Sequence, residues 1–194
     1  MIDPHGAGII AAVRQIRTLM VEVSKLLLEA DAIMGVAGWA PRVASTALAG
    51  GATSVNSPKN WIPYRAFRFY RRDERPTIIP CIAVILDEQY RQQQVTEPLV
   101  SGEMLEYDSS GDVPEGNRLY DSSTWHLHVP GRRDDGTIVE IVPREIWKGE
   151  STAKLMRSFA IPLTRVDSRE RLKQAVVDPL LSLITKDTDD GAQG

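Results

Sequence analysis

Residues 6–35 read GAGIIAAVRQIRTLMVEVSKLLLEADAIMG, and the spacing of their apolar members decides the fold. Ile9, Val13, Ile16, Met20, Val23, Leu27, Ala30 and Met34 recur at alternating steps of four and three, a heptad rhythm that presents one seam along a helix. Ala12, Leu19, Leu26 and Ile33 form a second column beside it. The combined stripe is wider than a bare coiled-coil seam and suits a helix laid on a broad core. Arg14, Arg17, Glu22, Lys25 and Asp31 define the opposite, solvated face. No proline interrupts the run. Asp3 is placed to cap its start with Pro4 at the first helical position, and Gly35 and Gly38 suit its stop.

At 1.5 Å per residue such a helix is about 45 Å long. A globule of this chain length has a radius of gyration of about 16 Å. Either the whole fold drapes along the helix, or part of it protrudes and meets another chain. The residues that would form that interface are Ile9, Val13, Ile16, Met20, Val23 and Leu27. Charges recur too often along the helix for it to cross a membrane.

Beyond the helix the period changes. Residues 36–60 are rich in Ala, Ser, Thr, Gly and Asn and read as a flexible loop. Two Trp-x-Pro triplets, at Trp39 and Trp61, bracket it as anchors onto the core. Tyr64–Arg72 alternates as a strand, Asp73–Pro76 turns, and Thr77–Leu86 returns as a strongly apolar strand. Pro80 argues for a strand start at Cys81. Leu99–Tyr107 is a further strand with Gly102 as its expected bulge. Ser123–Val129 and Thr137–Val142 form a hairpin. Ser158–Val166 is the last strand, with Pro162 suggesting an edge. Asp167 with Glu170 reads as a capping box opening a short helix that Pro179 kinks or splits. Strands follow one another without intervening helices, which excludes a doubly wound parallel sheet. The expected fold is α+β: an antiparallel β-sheet packed on the long N-terminal helix, with a short C-terminal helix. One domain spans 1–185, and 186–194 is a disordered tail.

The chain has 194 residues, a formal net charge of −3 and one cysteine. That balance offers no global attraction to nucleic acid or anionic membrane. Cys81, inside an apolar run, reads as a buried, inert thiol, and one cysteine makes neither a disulfide framework nor a zinc cluster. No secretory signal is visible, and a cytoplasmic location follows.

Two surfaces have the residue types for chemistry or binding. In the basic aromatic strand, Arg68, Tyr70 and Arg72 share a side with Tyr64 and Ala66, while Arg65 and Arg71 share the other with Phe67 and Phe69. The phenylalanine side suits the core. Arginines interleaved with tyrosine could neutralise phosphates and stack bases. His126 and His128 share a strand face, and pairing Val129 with Thr137 sets Glu140 opposite His126. Two imidazoles and a carboxylate could hold a divalent metal for hydrolysis. Asp87, Glu103, Glu106 and Asp108 read as solvated carboxylates at strand ends. No nucleophile elbow, dinucleotide fingerprint or phosphate loop is present, and no cofactor is expected. The leading expectation is a non-enzymatic interaction or accessory subunit, self-associating through the N-terminal helix. The alternatives are a nucleic-acid-binding accessory factor using strand 64–72 and a metal-dependent hydrolase around His126, His128 and Glu140.

Overall fold

A computed structural model describes residues 4–42, 48–49, 63, 65–86, 97–114, 135–142 and 153–190. Helix α1 runs unbroken from Pro4 to Val36, 33 residues and about 50 Å. Its end is a Schellman turn. Gly38 takes φ 82°, and the Gly38 and Trp39 N–H groups donate to the Gly35 and Met34 carbonyls, both at 3.0 Å. That reversal drives Trp39 into the core, where it is buried as an anchor.

The strands are β1 (Ala40–Pro41), β2 (Leu48–Ala49), β3 (Arg65–Arg71), β4 (Ile78–Ile85), β5 (Leu99–Glu106), β6 (Val139–Ile141) and β7 (Leu155–Pro162). They pair antiparallel in the order β1-β3-β4-β5-β7-β6, with β2 also on β3. The fold is α+β, as its sequence implies. Within the expected loop 36–60, the described residues include β1 and β2, which dock on the two ends of β3.

Two expectations about special residues are corrected. Pro80 lies inside β4. The ladder to β3 ends at Cys81, so the proline falls where β4 is paired to β5 alone. Gly102 makes no bulge: β5 keeps continuous register with β4 and β7 through it. It is glycine because the Phe159 ring lies on it. A Cβ there would sit 2.5 Å from Phe159 Cζ. β7 is an inner strand, but among the described residues β6 pairs only with its Met156–Ser158, and Pro162 lies beyond that ladder.

Both faces of the central strands are buried. Ala66, Tyr70, Ile82, Val84, Val100 and Phe159 face α1 and the C-terminal helix. Phe67, Phe69, Ile79, Cys81, Leu105 and Met156 form a second cluster on the reverse face. This explains why β4 reads as a continuous apolar run.

The C-terminal helix joins α2 (Arg169–Leu172), a π-helical turn (Lys173–Val177) and α3 (Asp178–Asp190) without a break. Its cap is Ser168, whose side chain accepts from the Arg171 N–H, and not Asp167. Pro179 neither splits nor ends the helix. A proline ring clashes with the carbonyl four residues back, and the wide turn just ahead of it gives room. The helix also continues to Asp190, past the boundary at 185 read from the sequence.

Candidate functional site

The stripe on α1 has two fates. Val23, Leu27, Ala30, Ile33 and Met34 are buried against the sheet and the C-terminal helix. Toward the N-terminus the same stripe leaves the body. Ile9 is 67% exposed, Ile10 53% and Val13 43%, while Ile16 and Met20 are half-buried. The first four turns of α1 are therefore an arm with an open apolar face. Between Pro4 and Val21 that arm has two arginines, Arg14 and Arg17, and no carboxylate.

Where the arm meets the body, a groove opens beside α1. One wall is Leu19, Glu22, Leu26 and Glu29; the other comes from Leu163, Val166 and the start of α2. Its volume is about 300 Å³. Its rim is charged. Lys25 and Glu22 pair at 2.8 Å, and Arg169 pairs with Glu29. Asp167 stands on the far side. Sequence reasoning named the helix stripe but missed this groove, because its second wall is assembled from Leu163 of a 3₁₀ turn, the link through Val166 to Ser168 and the start of α2, which share no periodic pattern.

The basic aromatic strand is placed differently from its expected role. Arg65, Arg68 and Tyr70 are buried. The side bearing Arg68 and Tyr70 is the one packed on α1, so it is not a free outer face. Arg68 donates from Nη2 and Nε to Asp31 Oδ2, at 2.7 and 3.1 Å. Asp31 is thereby corrected too: it belongs to the helix–sheet junction and not to the solvated face. Burial, then the Asp31 charge, raises the Tyr70 pKa far above the ordinary phenol value. On the reverse face the Arg65 guanidinium lies over the Phe67 ring, 5.1 Å from its centroid. Arg71 is exposed, and Arg72 donates to Glu74 at 3.0 Å. The five residues do not form one surface that a nucleic acid could lie on.

His126 and His128 lie outside the described residues. Their expected partner Glu140 accepts from Arg157 Nε at 2.6 Å. Among the described residues no group of three metal-ligating side chains occurs. Of the acidic set, Asp87 is outside the described residues and Glu106 pairs with Lys154 at 2.7 Å. Glu103 is buried and accepts from the Ser101 hydroxyl at 2.9 Å, which corrects its reading as a solvated carboxylate. Cys81 is buried, and burial followed by the Glu103 charge pushes its thiol pKa well up. That is the opposite of what a nucleophilic thiol needs. Among the described residues no helix is long and apolar enough to cross a membrane. Comparison with protein-family models, with curated proteins and with solved structures finds no match.

Proposed function

We propose that this chain is a non-enzymatic interaction protein that self-associates through the N-terminal arm of α1. One observation carries the reading: the apolar stripe runs on for four turns beyond the body with Ile9, Ile10 and Val13 open to solvent. Isolated helices of this length are marginal in water. The arm also has glycine at positions 6 and 8, and each costs about 1 kcal/mol relative to alanine inside a helix. A helix so composed gains most of its stability from a partner that covers its apolar side.

The test is the solution mass by light scattering over a wide concentration range. The wild-type chain is expected at a multiple of 21.5 kDa. The Ile9→Asp/Val13→Asp variant is expected to fall to the monomer and to lose the concentration dependence of its melting temperature, while the body stays folded because both sites are off the core. A wild-type chain that stays monomeric at every concentration overturns self-association.

A further inference from the structure

We infer that the partner is a second copy bound antiparallel, with the arm of each copy lying in the groove of the other across a two-fold axis beside Thr18. This rests on the self-association reading and adds the geometry.

The dimensions agree. The α1 wall of the groove runs from Leu19 to Glu29, about 15 Å. An axis beside Thr18 lays the stretch from Ala7 to Arg17, of the same length, along that wall in the opposite direction. At helical spacing the line Glu29, Leu26, Glu22, Leu19 continues back through Gln15, Ala12 and Gly8. The arm thus offers Gln15 and the small Ala12 and Gly8 to the opposing helix, and Ile9 and Ile16 to the wall at Leu163 and Val166. Open space surrounds Gly8 within one copy, so nothing in the monomer requires it to be glycine. Close approach of another helix does.

Charge agrees as well. The arm has Arg14 and Arg17 without a carboxylate, and the groove rim has Glu22, Glu29 and Asp167 against Lys25 and Arg169. The axis sets Arg14 against Glu22 of the partner subunit. A parallel coil fits worse. With Val13 and Met20 at position a, the d positions are Ile9, Ile16 and Val23, and β-branched d residues disfavour a parallel pair. Val23 is moreover committed to its own core.

Single cysteines on the exposed arm test the arrangement, since Cys81 is buried. Thr18→Cys meets its own counterpart and is expected to give a disulfide-linked dimer under mild oxidation. Ile9→Cys lies far from its counterpart and is expected to stay reduced. Arg14→Glu is expected to raise the dimer dissociation constant at least tenfold, and Arg14→Glu/Glu22→Arg to restore it. A dimeric chain in which Ile9→Cys cross-links as readily as Thr18→Cys is parallel; that result overturns the antiparallel arrangement and leaves self-association standing. A monomeric wild-type chain removes both.

Discussion

Asp31 and Arg68 show how one pair of side chains fixes the helix on the sheet. The side chains are 15% and 9% exposed, and the pair joins α1 to β3 across 37 positions of chain. Removing Asp31 takes from Arg68 the carboxylate that balances its charge in a low-dielectric junction, which costs more than the pair itself contributes. Asp31→Ala is expected to destabilise the fold by about 3 kcal/mol in urea denaturation; a loss below 0.5 kcal/mol would mean that the arginine finds water. A second residue-scale effect is alkaline. Folding raises the pKa of both Cys81 and Tyr70. The unfolded chain loses these protons at about pH 8.5 and 10, while the folded chain keeps them. Both groups therefore contribute stability that is complete below those values and is lost as pH rises. The urea midpoint is expected to fall from pH 8 to 11, with Cys81→Ala removing the earlier part of the fall. A midpoint flat to pH 11 contradicts the burial of both.

At the scale of elements, the sheet owes its register to close contacts that patterning alone does not announce. Gly102 on β5 and Phe159 on β7 are Cα partners, and the ring occupies the space a side chain would need. Gly102→Ala is expected to cost about 1–3 kcal/mol as an overpacking change. The double variant Gly102→Ala/Phe159→Leu is expected to cost less than the two single changes together, as coupled neighbours do. Equal costs measured by denaturation would place the ring elsewhere. The C-terminal helix adds a smaller test. Ser168→Ala removes the cap acceptor for Arg171 N–H and is expected to lower stability by about 1 kcal/mol. Elements with strong periodicity were legible in the sequence: α1, the β3–β4 hairpin and the apolar β4. Pro80, Gly102 and Pro179 misled because each rule about them depends on which neighbour is present. A proline is harmless where a ladder has ended, and a glycine can serve a ring instead of a bulge.

For the whole molecule, the decisive asymmetry lies along α1. Its second half is core, and its first half projects the same apolar stripe into solvent. The sequence shows the stripe at full length but not where the body ends, because periodicity is identical on both sides of Met20. It also shows basic and aromatic residues in β3 without showing that both faces of that strand are covered. Burial of a strand face depends on what packs over it, and here α1 itself covers Arg68 and Tyr70. What the fold leaves uncovered is the apolar face of the arm. Backbone amide hydrogen exchange of residues 9–20, measured at low and high protein concentration, tests self-association through that face most directly. An arm covered by a second copy exchanges slowly at high concentration, approaching residues 23–34, and loses that protection on dilution. An arm that exchanges at unprotected rates at every concentration contradicts self-association through α1.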